Sequence, residues 1–268
     1  MLDLSKYIFT LQRSPIDPRD FLIESIYPEE VVLPEEWDLR PQMRPVRDQG
    51  SQGTCSAQTA AAMKEWEETA DVQFKEYMSP QFIYNQRENQ GMPGMYPRNT
   101  LDILYKVGIV SEKDYPYNTF TPITEELKQK AATYKIQGYA QINTTDSLKK
   151  ALFANGPCYI AFSVYNPNKM EFWKPDYVGQ QALGGHALCV AGYLRDCFII
   201  RNSWSASWGD NGYCYYFFKD FGMHWETWTA VDDDSNPTTL SIKASKHLTR
   251  ENKIGLFRRI FHKKFNKK

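Results

Sequence analysis

Two kinds of pattern occupy different parts of this 268-residue chain, and they do not interleave. From Cys55 to about Tyr134 the patterns are helical. From Pro157 onward, short runs of β-branched and aromatic residues are separated by Gly, Pro, Asn and Asp, the pattern of strands. Helices first and strands later predicts an α+β fold, arranged as two lobes.

The first helix is read in "CSAQTAAAMKEWEETA", rich in Ala, Met, Glu and Lys, with Ala60, Met63 and Trp66 at helical spacing. A second is read in "SPQFIYNQRENQ", with Ser79 as N-cap and Pro80 in the first helical position. A third covers "NTLDILYKVG" and stops at Gly108; a fourth is read in "TPITEELKQKAATY". Strands are expected in "PCYIAFSVY", "HALCVAGYL", "CFIIRNSW" and "GYCYYFF". Ahead of all this, Pro15, Pro18, Pro28 and Pro34 stand too close together for a long helix. Residues 1–34 are therefore read as an extended arm.

Apolar residues make up 42% of the chain and aromatic residues 15%, which suits a folded globular protein. No run of apolar residues is long enough to span a membrane. The start, "MLDLSKYIFTLQRSPIDPRD", has no sustained apolar segment and no small-residue cleavage site, so no secretory signal is expected. The zero net charge hides an asymmetry. Residues 243–268 hold ten Lys or Arg against one acid, Glu251, a net of +9, so the rest carries 22 basic and 31 acidic residues, a net of −9. In the tail, Ile254, Phe257, Phe261 and Phe265 lie three or four apart with basic residues between them, a basic amphipathic helix pattern.

The five cysteines are an odd number and form no CxxC pair, which argues against a cysteine zinc site. Cys158, Cys189, Cys197 and Cys214 sit in apolar runs and read as buried free thiols. Cys55 differs. It stands where the polar loop "RDQGSQGT" becomes a helix, and unpaired N–H groups and the helix dipole there favour a thiolate. A thiolate nucleophile needs a base to take its proton and later return it to a leaving amine, and histidine suits this near neutral pH. Of the four histidines, His247 and His262 lie in the tail and His224 has no supporting pattern; His186 precedes a strand in "LGGHALCVAGY". If that strand pairs with the next, Asn202 of "RNSWSASWGDNG" comes beside His186 to hold its ring N–H, with Trp204 as a shield. Gln49 and the Cys55 N–H are candidates to receive the developing oxyanion.

These three segments together resemble the papain family of cysteine proteases. "DQGSQGTCSA" looks like its glutamine-to-cysteine motif, "GGHALCVAGY" its histidine strand and "IIRNSWSASWGDNGY" its asparagine–tryptophan motif. "LPEEWDLR", "MSPQFIYNQR", "GIVSEKDYPY" and "NGPCYIAF" are further matches, and the resemblance covers about residues 34–231. It implies a two-lobe fold, helical at 35–125 and β-barrel-like at 126–231, with the active site in the cleft between. It also implies Cys55 as nucleophile, His186 as general acid/base, Asn202 as its orienter and Gln49 as oxyanion donor. Ala161 and Ala187 would line the main side-chain pocket, Gly94 would meet substrate backbone, and Trp204 would cover the Asn–His bond. Gln52 stands where the family usually has a disulfide cysteine, Ser56 where it has tryptophan and Ser205 where it has glycine.

The implied activity is endopeptidase hydrolysis of peptides through a thioester, without cofactor or metal, by a monomer. Transfer of the acyl group to an amine, or a binding or structural use of the same fold, are the alternatives. Without the usual disulfide and signal, an intracellular, reducing compartment is expected, or a virion if the source is viral. The arm, 1–34, is a candidate short propeptide that crosses the cleft. The tail, 232–268, is expected to dock on an anionic membrane, nucleic acid or acidic protein, or on the chain's own acidic body.

Overall fold

A computed structural model describes residues 3–25 and 31–232. The basic tail from residue 233 on lies outside them, and so does the docking role expected of it.

A two-residue strand, β1 (Trp37–Asp38), precedes the main helix, α1 (Cys55–Val72). Ala57, Ala60, Ala61 and Met63 are all buried, and the small side chains let neighbouring elements approach α1 closely. The chain leaves α1 through Gln73 in the left-handed region (φ 55°), whose N–H returns to the Glu68 carbonyl. Helix α2 (Pro80–Tyr84) is capped by Ser79 Oγ, which accepts the Phe82 N–H. It is shorter than the run read in the sequence. Asn85 ends it by donating to Tyr115 Oη and the Thr119 carbonyl, both 2.8 Å away. Helices α3 (Pro97–Lys106) and α4 (Glu125–Ala131) match the third and fourth patterns.

Strand β2 (Ile136–Gln141) and helix α5 (Thr145–Asn155) come next, then β3 (Cys158–Val164), β4 (Gly184–Tyr193), β5 (Cys197–Arg201), β6 (Tyr213–Phe217) and β7 (His224–Asp232). The antiparallel sheet has the order β2-β7-β3-β4-β5-β6, with β1 paired to β4, and it is open at β2 and β6. Strand alternation divides the core in two. Ile160, Phe162 and Val164 of β3 and Leu188 and Val190 of β4 meet Leu148, Ala151 and Leu152 of α5. Tyr159, Ala161, Ala187 and Cys189 face the other way, onto Cys55, Ala57, Ala60, Ala61 and Met63 of α1. Both faces are covered, which is why these strands read as continuous apolar runs. This α+β arrangement lays the start of α1 against β4. All five cysteines are buried free thiols.

Candidate active site

The register β3–β4–β5 brings His186 opposite Phe162 and Cys189 opposite Arg201, so the chain leaving β5 returns beside His186. There Asn202 Oδ1 lies 2.8 Å from His186 Nε2. Trp204 stacks on the imidazole, with ring centroids 4.5 Å apart and planes 28° apart. Ser205 then turns the chain with φ 65°, a left-handed residue without being glycine. The other imidazole nitrogen, Nδ1, is buried with no hydrogen-bond partner among the described residues.

Cys55 opens α1, and its sulfur lies against the backbone N–H groups of Ser56, of Cys55 itself and of Ala187, next to His186. Gln49 is tied to the asparagine segment. Its N–H donates to the Ser203 carbonyl at 2.9 Å and its Oε1 accepts the Ser203 hydroxyl at 2.7 Å. Its Nε2 donates to the Gln52 carbonyl at 3.0 Å with one hydrogen and keeps a second. His186, Asn202 and Trp204 are thus in direct contact, Gln49 is bonded to the residue after Asn202, and Cys55 lies against the amide of the residue after His186.

The arm fills the cleft over this place. Leu11 N–H donates to the Gly185 carbonyl at 3.2 Å, and Gly185 N–H returns to the Phe9 carbonyl at 3.3 Å. Gln12 N–H donates to the Met95 carbonyl at 3.0 Å. Phe9 packs edge-on against His186 and Trp204, and Tyr7 stacks on Trp204. Leu11 is 3% exposed and joins Cys55, Ala161 and Ala187 in one apolar cluster. The Thr10 backbone passes so close to Gly94 (φ +84°) that a Cβ there would stand 1.8 Å from the Thr10 carbonyl oxygen. Ala161, Ala187 and Gly94 therefore meet a peptide chain, namely the protein's own.

Both ends of the arm are fastened. Asp48 accepts from Lys6 Nζ at 2.8 Å and Tyr7 Oη at 3.0 Å. Burial alone would raise the Asp48 carboxyl, but Lys6, the Gly50 amide and Tyr7 hold it below its ordinary value. At the other end, Glu226 accepts the Ser14 N–H at 2.9 Å, and Arg98 pairs with Asp20. Phe21 and Leu22 then lie along β2.

Covering the site changes its electrostatics. Cys55 and His186 are both fully buried. Burial pushes the Cys55 thiol up to about 11 against the pull of its amide neighbours, and the His186 imidazole down to about 4 although Asn202 favours its charged form. The helix start that was expected to favour a thiolate is outweighed here by desolvation, so the arm-closed state holds a thiol beside a neutral imidazole. The sequence reading also missed Asp48, Ser203 and Glu226. Ser203 lies inside the "NSW" motif; Asp48 and Glu226 carry no signal until the arm is laid across them.

A family model described as papain family cysteine protease matches residues 33–224. Falcipain-3 of Plasmodium falciparum is 28% identical over 202 residues, covering 66% of this chain and 39% of that protein. Papain of Carica papaya is 25% identical over 189 residues, covering 69% of this chain and 55% of that protein. The chain thus spans about two fifths to three fifths of the length of such curated relatives. Xylellain, a cysteine protease from Xylella fastidiosa, superposes with a TM-score of 0.71 at 27% identity, covering 85% of this chain and 97% of that one.

Proposed function

Because the chain belongs to the papain family of cysteine proteases, we propose that it is an endopeptidase that hydrolyses peptide bonds through an acyl-enzyme on Cys55. The observation that carries this reading is the His186 Nε2–Asn202 Oδ1 bond, which leaves Nδ1 as the basic nitrogen beside the start of α1. In the open cleft, Nδ1 takes the Cys55 proton and the thiolate attacks the scissile carbonyl. The oxyanion meets the second Gln49 Nε2 hydrogen and the Cys55 N–H. His186 gives its proton to the leaving amine, the C–N bond breaks and a thioester remains. Water, deprotonated by His186, then releases the acid and restores the thiol. Asn202 holds the ring, Trp204 covers that bond, and Ala161 and Ala187 line an apolar side-chain pocket.

The arm is the internal restraint on this activity. It enters the cleft at Asp48 and leaves it at Arg98 and β2, so an extended chain passes straight through. A cleft open at both ends supports internal cleavage over trimming of chain ends. The test is hydrolysis of fluorogenic peptides carrying an apolar residue before the cleaved position. The full chain, its Leu11→Asp variant and the Leu11→Asp/Cys55→Ala double variant are compared. Turnover that rises with Leu11→Asp and vanishes with Cys55→Ala is expected. Equal turnover with and without Cys55 would refute the assignment.

A further inference from the structure

The two oxyanion donors lie on opposite sides of one turn. Gln49 precedes it, and the Cys55 N–H follows Thr54, so the distance between donors depends on what holds residues 50–53. The Tyr117 phenol spans that turn. It donates to the Gln49 carbonyl at 2.7 Å and lies 2.7 Å from Thr54 Oγ1. A phenol has one proton to give, and the Gln49 carbonyl can only accept it, so the Thr54 hydroxyl must donate to the phenol oxygen. One oxygen therefore links the residues that flank both donors. Gln49 and Thr54 are buried, at 1% and 0% exposure, so neither can exchange this partner for water.

The neighbouring residue adds to the link. The Asn118 side chain accepts from Gln52 Nε2 inside the turn, and its N–H donates to Gln81 Oε1 at 3.1 Å. Gln52 is the position where the resemblance places a disulfide cysteine. Here the turn is fastened to the segment before α4 by hydrogen bonds instead.

On the reading that the site is a cysteine peptidase, we infer that Tyr117 is a positioning residue for the oxyanion site. Its hydroxyl keeps Gln49 and the Cys55 N–H converging on one point. A loop cap with no part in the reaction would make the same bonds, so the test must separate acyl transfer from thiol reactivity. Alkylation of Cys55 by iodoacetamide is a displacement at carbon that forms no oxyanion; amide hydrolysis forms one.

The experiment uses the full chain in its Leu11→Asp background. Tyr117→Phe is expected to lower kcat for a peptide amide about tenfold, a fraction of the hundredfold or more that follows complete loss of an oxyanion donor. KM and the Cys55 alkylation rate should stay within about twofold. Added to Gln49→Ala, Tyr117→Phe should cost clearly less than tenfold, because one of the two donors it aligns is gone. Should Tyr117→Phe fail to fold, Thr54→Val cuts the same link from the other side, with the same selective loss of turnover expected. An unchanged kcat, a parallel fall in alkylation, or a full tenfold loss on top of Gln49→Ala would overturn the inference. Absence of turnover in the Leu11→Asp chain with Tyr117 intact would instead overturn the peptidase reading on which it rests.

Discussion

Asn202 Oδ1 lies 2.8 Å from His186 Nε2, and the Ser203 N–H donates to that same oxygen at 2.8 Å. A backbone N–H can only donate, so it fixes which end of the Asn202 amide faces the ring. His186 must then carry its proton on Nε2 and leave Nδ1 bare, the tautomer that can accept a proton from Cys55. Asn202→Ala frees the ring to rotate and removes the constraint on its tautomer. We expect kcat to fall about tenfold to a hundredfold with KM little changed. Asn202→Asp keeps the acceptor and adds charge, so it should retain more activity and shift the pH profile upward. Steady-state kinetics of the two variants decides this; an Asn202→Ala variant with unchanged kcat would contradict the tautomer assignment.

The arm is held by apolar burial at Leu11 as much as by ion pairs. Leu11→Ala removes about 2 kcal/mol of transfer free energy from the closed state. That shifts the arm equilibrium by about thirtyfold toward open. Because the closed arm also covers Cys55, peptide turnover and Cys55 alkylation should rise together. Asp48→Asn should produce a smaller rise, since the Lys6 pair is partly exposed and worth less than about 1 kcal/mol. A Leu11→Ala chain as slow as its parent in both assays would show that the arm is no restraint.

Acid should destabilise the fold through a half-buried imidazole, His224. His224 Nδ1 lies 3.0 Å from Tyr216 Oη, whose own proton goes to the Asp220 carbonyl; the ring packs on Phe221, and burial pushes it down to about 4. A histidine depressed in the folded state contributes stability that is present above its ordinary value, 6.5, and lost as pH falls toward 4. Glu65 acts with the opposite sign. Burial raises its carboxyl to about 7 despite Arg47 and Arg201, so its contribution grows as pH falls from there toward 4.5. The difference between wild type and His224→Gln isolates the imidazole. In urea titrations, wild type should lose about 1–2 kcal/mol relative to the variant between pH 6.5 and 4, allowing for partial exposure. Parallel stability curves would contradict it.

Gly156, between α5 and β3, has φ +88°, and a Cβ there would stand 2.1 Å from the ring of Trp66. Gly156→Ala combines left-handed strain with a clash against a side chain that is itself 6% exposed. A loss of about 2–4 kcal/mol is expected from denaturant unfolding. A loss below about 0.5 kcal/mol would mean that Trp66 moves freely, against its bond to Gln42 Oε1 at 3.1 Å.

The α+β class and the His186–Asn202 pairing could be read from residues, because each rests on a local pattern. Other features were harder to see. Helix α5 falls between β2 and β3, outside the helices-first pattern, although Thr144 Oγ1 caps the Ser147 N–H and Leu148, Ala151 and Leu152 are helically spaced. Strand β7 is masked by Glu226 and the alternating threonines of "HWETWTAVD", polar residues that the structure nonetheless buries. The thiol's raised pKa was not legible at all. It comes from burial by residues far away in sequence, which no window around Cys55 contains.

On the proposed mechanism, Cys55 becomes acylated by peptide once the arm leaves the cleft. A peptide ester is mixed with the Leu11→Asp chain, the reaction is stopped with acid within its first turnover, and the adduct is located by peptide mapping. One acyl group is expected, on Cys55, formed much more slowly in the chain with Leu11 intact and absent from a Leu11→Asp/His186→Ala variant. Hydrolysis of the ester with no acyl group on Cys55, or acylation that proceeds equally without His186, would contradict it.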